Sequence, residues 1–304
     1  MKPKALRRGD TIALVSPASP VSKENLELAV SFLESAGFNV WHSPGVNRPG
    51  AYLAGTDAER AADLMEAFTR PGIDAVLCSR GGYGCSRLFP FLDLDTIAAS
   101  GRVLAGFSDI TTLHLALNRR GVPTLHAPMA LTLSNQKSAW VYESLLTGLT
   151  GGTAVPAEAP TGRCVVPGIA EGDTVGGCLC LLCDSIGTPN ALETEGKLLF
   201  IEDVDENPHR VDAMLTHLRN SGLAAKASGI VIGEMTRTDE RVDAGIGGSP
   251  WRDIVRDRLA DLNIPVMTDY PFGHVKDMLT IPLGVRARMD AEAGTVEFLE
   301  PACI

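Results

Sequence analysis

The stretch Val103-Leu104-Ala105-Gly106-Phe107-Ser108-Asp109-Ile110-Thr111-Thr112-Leu113-His114 decides the fold class. Its first three residues predict a buried strand, Gly106 and Ser108 mark a tight turn, and residues 109–118 carry apolar side chains at helical spacing. A strand feeding straight into a helix is the repeating part of an α/β protein. The same alternation runs on both sides of it. Upstream, Thr11–Ser16 predicts a strand, residues 22–36 a helix opening on Ser22 and stopping at Gly37, and residues 57–69 a helix stopped by Pro71. Residues 73–78 then predict a strand running into Ser79-Arg80-Gly81-Gly82-Tyr83-Gly84, followed by a short helix near 95–99. A strand near 123–126 completes the pattern. The expectation is an N-terminal α/β domain with a parallel sheet over residues 1–149.

Between Gly148 and Gly172, Gly, Pro, Ala and Thr displace periodic apolar residues, which predicts a linker over 150–169. The C-terminal domain, 170–304, is expected to hold helices at 178–185, 208–220 and 251–262 and strands at 197–201, 229–233 and 265–269. Residues 239–250 predict a mobile surface loop. Residues 279–300 alternate like antiparallel strands around turns at Gly284 and Gly294.

The 304 residues include 27 Lys and Arg against 37 Asp and Glu, a formal net charge of −10, and 45% are apolar. That balance excludes a disordered chain and disfavours a nucleic-acid partner, whose phosphates need a basic surface. No apolar run reaches the roughly 20 residues of a bilayer crossing, and Thr11–Val15 is shorter than the apolar core of a secretory signal. A cytoplasmic protein with no membrane partner is expected. Seven cysteines fit a reducing compartment. Cys178, Cys180 and Cys183 are the one dense group; if 178–180 is helical, Cys180 lies about 200° around the axis from Cys178. Small buried side chains are therefore expected, with no metal site.

A serine on a strand-to-helix turn is held toward solvent, and the helix start offers backbone N–H groups to an oxyanion. Ser108 is thus a candidate nucleophile, although Ile110 breaks the full G-x-S-x-G pattern and Ser108 could equally cap the helix. A base is needed, and of the six histidines His274 stands apart. It follows the predicted strand 265–269 within Pro271-Phe272-Gly273-His274 and precedes no helix signal, so it falls on a loop of the kind that carries chemistry. An acid should orient it. Glu202 and Asp203 end the apolar run Lys197-Leu198-Leu199-Phe200-Ile201, and ligands gather at such strand ends; either acid could instead cap the helix near Pro208. The glycine turn 79–84 lacks nucleotide-binding spacings, but its backbone could approach a substrate oxygen. Asp109 and Gly82 are accordingly the expected oxyanion donors. A non-catalytic binder of small anions, using this turn and the helix start at Asp109, and a nucleotide-dependent enzyme are the readings from other classes.

Together these blocks resemble the LD-carboxypeptidase family of serine peptidases, which includes muramoyltetrapeptide carboxypeptidases. The resemblance spans nearly the whole chain: Val15–Ser19, Ser79–Gly84, Gly106–Thr111, Gly172–Gly177 with Gly187-Thr188-Pro189, Ile201-Glu202-Asp203, Phe272-Gly273-His274 and Pro282-Leu283-Gly284. It implies Ser108 as nucleophile, Glu202 as orienting acid and His274 as general base. It also implies a smaller strand-rich C-terminal domain with the active site at the domain junction. The implied reaction removes the terminal D-alanine from murein tetrapeptides, in the cytoplasm, without metal or cofactor, by a homodimer. A related branch cleaves microcin-type peptidyl nucleotides and tends to carry a longer insertion between serine and acid. Here 94 residues separate Ser108 from Glu202 and 72 separate Glu202 from His274, which favours the murein branch. Cys178, Ala127, His209 and Ala213 depart from the family pattern of Asn, Gly, Tyr and Arg, which bears on substrate contacts.

Overall fold

The computed structural model describes residues 2–243, 245 and 248–304. Its strands, in chain order, are β1 (Thr11–Val15), β2 (Asn39–His42), β3 (Ala75–Cys78), β4 (Val103–Gly106), β5 (Thr124–His126), β6 (Arg163–Val166), β7 (Ile169–Cys178), β8 (Leu198–Val204), β9 (Gly229–Thr236), β10 (Val266–Thr268), β11 (Ile281–Leu283), β12 (Arg286–Asp290) and β13 (Thr295–Phe298). They form two sheets, one in each of two compact units.

The first unit takes the chain up to Thr153 together with Thr280–Gly284 and Pro301–Ile304. Its sheet has the order β11-β5-β4-β3-β1-β2, parallel except for β11, which runs antiparallel to β5. Every residue of β3 and β4 is buried, as expected of parallel strands covered on both faces. Two of the unit's helices are amphipathic and capped by side chains. Ser22 accepts the N–H of Asn25 at 3.2 Å to start Lys23–Ser35, which buries Leu26, Ala29 and Leu33. Thr56 and Glu59 form a reciprocal capping box at the start of Asp57–Thr69, which buries Ala61, Leu64, Ala67 and Phe68. The order β2-β1-β3-β4-β5 reverses between β1 and β3, and ligands of such sheets bind beyond the carboxyl ends at that reversal. The segments that leave β1 and β3 there are Ser16–Ser19 and Ser79–Gly84.

The second unit holds Ala154–Leu279 and Val285–Glu300 around a sheet ordered β13-β12-β7-β8-β9-β10-β6. Strands β7 to β10 are parallel, and β12, β13 and β6 are antiparallel to their neighbours. Here the structure differs from the sequence-order expectation. β6 and the start of β7 fall inside 150–169, the expected linker; the inward positions of β7 are Ala170, Gly172 and Thr174, which give no apolar period to read. Gly284 does not join two strands of one hairpin, because β11 pairs in the first sheet and β12 in the second. The return of residues 280–284 and 301–304 to the first unit also departs from an assignment of all of 170–304 to one domain. Only β12 and β13 make the expected hairpin, through Gly294. Within the loop expected at 239–250, Asp239–Arg241 form a 3-10 turn, while 244, 246 and 247 lie outside the described residues. Among the described residues no helix is long and apolar enough to cross a membrane.

Candidate active site

Ser108 follows β4 at the start of a 3-10 turn and has a left-handed backbone, φ +65°. A serine held there costs on the order of 1–3 kcal/mol, a strain typical of functional turns. The helix Thr111–Asn118 begins from Ile110 with no side-chain cap, so Ser108 is not its cap. Crowding explains Gly106: a Cβ there would stand 3.0 Å from Cys78 Cβ and 3.1 Å from Ile110 Cγ1. The carbonyl of Gly106 is held twice, by the N–H of Ala127 at 3.1 Å and by His114 Nε2 at 2.8 Å. Since a carbonyl only accepts, Nε2 of His114 carries the proton. Burial drives the His114 pKa down to about 3, so this imidazole is a neutral prop behind the turn. Asp109, also buried, accepts the N–H of Cys85 at 2.8 Å and ties the turn to the end of the glycine segment.

That glycine segment lies against the serine. A Cβ on Gly81 would come within 2.7 Å of Ser108 Cβ, 2.9 Å of its Oγ and 3.3 Å of the Asp109 nitrogen, so only glycine fits. Gly82 has φ +118° and faces Ser19, whose hydroxyl a Cβ would overlap. Ser16 and Ser79 share a short hydrogen bond where β1 and β3 end, and the Ser16 hydroxyl also reaches the carbonyl of Val46 at 2.5 Å. The Ser108 turn, Gly81 and Asp109 are thus brought together at the carboxyl ends of the first sheet.

The second unit builds the acid and the histidine. Glu202, fully buried near the end of β8, receives two hydrogen bonds on one oxygen: Nδ1 of His274 lies 2.6 Å and the His274 backbone N–H 3.2 Å from Oε2. Because a carboxylate accepts, Nδ1 is the protonated nitrogen, and the neutral ring then holds its lone pair on Nε2. Gly273, at φ +90°, makes this contact possible, since a Cβ would overlap Glu202 Cγ and Oε2. Thr236 donates to the His274 carbonyl at 3.0 Å, and Phe272 packs edge-on against Phe200 of β8, ring centroids 5.5 Å apart. Burial opposes the imidazolium, but the charge and hydrogen bond of Glu202 outweigh it, and the His274 pKa is raised.

Asp203 takes the other side of the strand. Its Oδ2 accepts the N–H of Cys180 at 2.8 Å and its Oδ1 that of Val204 at 2.7 Å, so it holds the start of the helix Leu179–Ser185 rather than the helix at Pro208. Burial first, and the charge of Glu202 second, push its pKa up to about 6. The cysteines beside it correct a sequence argument. Cys178 is the last residue of β7, with extended backbone, so helical spacing does not apply and its sulfur lies 3.4 Å from that of Cys180. Sequence reasoning also missed His114, Gly81 and Gly273. Gly273, immediately before His274, was the available signal for that contact, whereas His114 sits in a helix among apolar residues and carries none.

Residues 12–127 match the model of the LD-carboxypeptidase N-terminal domain and residues 171–289 that of the C-terminal domain. The chain belongs to the LD-carboxypeptidase family. A Streptomyces coelicolor relative is 40% identical over 99% of this chain and 97% of its own, and the murein tetrapeptide carboxypeptidase of Pseudomonas aeruginosa is 33% identical over 92% of each. The crystal structure of muramoyltetrapeptide carboxypeptidase from Oxalobacter formigenes superimposes with a TM-score of 0.82 at 30% identity, covering 96% of this chain and 99% of that one. The microcin C7 self-immunity protein in complex with aspartyl sulfamoyl adenosine gives 0.90 at 25% identity over all of both chains. Membership of this family makes the chain a hydrolase.

Proposed function

We propose that the protein is a serine L,D-carboxypeptidase that releases the terminal D-alanine of murein tetrapeptides. Ser108 is the nucleophile, His274 its general base and Glu202 the acid that orients the base. The observation that carries this reading is the Glu202–His274 hydrogen bond at Nδ1, 2.6 Å long, formed by residues 72 apart. It fixes the tautomer that a nucleophilic hydroxyl needs, with Nε2 as proton acceptor. In the reaction, Ser108 Oγ attacks the carbonyl preceding D-alanine while its proton passes to Nε2 of His274. The backbone N–H groups of Asp109 and Gly82 stabilise the oxyanion. Collapse breaks the peptide bond, the departing amine takes the proton from His274, and water then hydrolyses the acyl-serine by the same base. No step calls on a metal or cofactor. The family resemblance supports placing this activity in the cytoplasm and in a homodimer.

Mass spectrometry on murein tetrapeptide tests the reading: tripeptide and free D-alanine should accumulate with the native chain, with chelator present or absent, and not with Ser108→Ala. An unreactive tetrapeptide overturns it. The likeness to a microcin self-immunity protein carries a second reading, in which the substrate is a peptidyl nucleotide analogue. A kcat/KM for aspartyl sulfamoyl adenosine above that for tetrapeptide would establish that reading instead.

A further inference from the structure

We infer that Cys178, Cys180 and Asp203 form a binding site for one soft divalent cation of the zinc class. The two sulfurs lie 3.4 Å apart, the Cys178 sulfur lies 3.5 Å from Asp203 Oδ1, and one ligand atom from each residue falls within 4.8 Å of the others. A tetrahedral zinc ion with its usual bond lengths to thiolate and carboxylate holds such atoms about 3.6–3.8 Å apart. Two of the three separations are therefore within a few tenths of an ångström of that spacing, and the third, from Cys180 to Asp203, is at most 4.8 Å and closes by a side-chain adjustment of about an ångström or less.

The frame around them is rigid. Cys178 ends β7 and stands in register with Glu202 of β8, so the sheet fixes its distance from Asp203. Cys180 sits in the first turn of the helix Leu179–Ser185, and its N–H is bound to Asp203 Oδ2 at 2.8 Å. That bond and the one from Val204 use one direction on each carboxylate oxygen and leave others for a metal. Cys178 and Asp203 are buried and Cys180 half-buried, which gives the cation a route in from the Cys180 side. The third cysteine of the run takes no part: Cys183 turns away and its thiol donates to the carbonyl of Met214 at 3.4 Å.

Two thiolates and one carboxylate suit zinc, cadmium or cobalt over magnesium or calcium, which take all-oxygen shells. Ligands and ion also offset most of each other's charge: releasing the two thiol protons gives three negative ligands around a dication, a net charge of −1 in place of −3. With three protein ligands the fourth corner belongs to water or an exogenous group, so the ion is exchangeable rather than a permanent structural zinc. The site is separate from the hydrolytic roles assigned above, and its test does not depend on them.

The test is titration of the full chain with Co2+, kept reduced by a phosphine. One equivalent should produce the thiolate-to-cobalt charge-transfer band and the strong visible bands of tetrahedral cobalt, and Zn2+ should bleach both. Cys178→Ala and Cys180→Ala should each weaken binding by at least about tenfold, as losing a metal ligand must exceed losing the partner of one. Asp203→Asn, which keeps an oxygen to accept the Cys180 N–H, should weaken it while the circular dichroism spectrum stays native. Cys164→Ala, at an exposed thiol elsewhere, should change nothing. Absence of the charge-transfer band at one equivalent, or a band of unchanged strength in both Cys178→Ala and Cys180→Ala, overturns the inference.

Discussion

The turn at Ser108 and the pair Glu202–His274 reach their geometry by opposite routes. The turn is local: Gly106, Ser108 and Asp109 are neighbours in sequence, and their conformation follows from the strand-to-helix transition and its crowding. The pair is distant: β8 delivers Glu202, the segment after β10 delivers His274, and Gly273 lets them touch. A local device is damaged by changing its own chemistry. A distant one is damaged equally by changing the backbone that brings its halves together.

The largest expected effect is on the local device, where Ser108→Ala should lower kcat by roughly 10⁴ to 10⁶ with the melting temperature little changed, because the proposed nucleophile is lost while alanine keeps the same Cβ, and so the same strain, at φ +65°. A variant retaining even a tenth of native turnover would remove Ser108 from the mechanism. Next is the distant device, where Glu202→Gln should lower kcat by roughly 10² to 10⁴, since a carboxamide can hold the wrong tautomer and cannot balance the imidazolium. A near-normal rate for that variant in steady-state assays would break the triad.

Gly273→Ala sharpens the comparison, because it alters no reacting group. Its methyl would overlap Glu202 and its φ of +90° disfavours any side chain, so activity should fall about 10-fold or more, with destabilisation of order 1–3 kcal/mol in urea unfolding. Full activity there would show that the pair does not depend on this close approach.

The pH profile gives a smaller effect with a definite sign. The His274 pKa is raised above its ordinary value of 6.5. As the proposed base acts in its neutral form, kcat/KM should rise with pH through an apparent pKa above about 6.5. Stability moves the other way: the contribution of the charged pair is complete below the unfolded-state pKa and is lost as pH rises through the folded-state value. Paired rate and unfolding measurements across pH 5 to 9 check this, and an acid limb centred well below 6.5 would contradict it. The smallest expected effect is on catalysis by Asp203→Asn, which keeps the hydrogen bond to the Cys180 N–H but not its charge-assisted strength, and should cost about 1 kcal/mol of stability and little turnover.

The chain itself determined much of this. The strand-turn-helix at 103–118, the capping residues Ser22 and Thr56 and the apolar run before Glu202 are local patterns, and each folds as its pattern dictates because hydrogen bonds and steric limits within a few residues select the conformation. Strand alternation also required that Glu202 and Asp203 face opposite ways. Sequence could not choose between them from the residues alone. Only the tertiary structure gave Glu202 to His274 and Asp203 to the helix at Leu179, because that choice depends on what lies across each face of β8. The same holds for β7, whose inward Ala170, Gly172 and Thr174 have no apolar signature, and for β11, which completes a sheet begun more than 150 residues earlier. It holds too for the 3.4 Å between the sulfurs of Cys178 and Cys180, which exists because the chain changes from strand to helix between them. Contacts made across long loops leave no period in the sequence, since the partners are chosen by shape and burial after the local elements have formed.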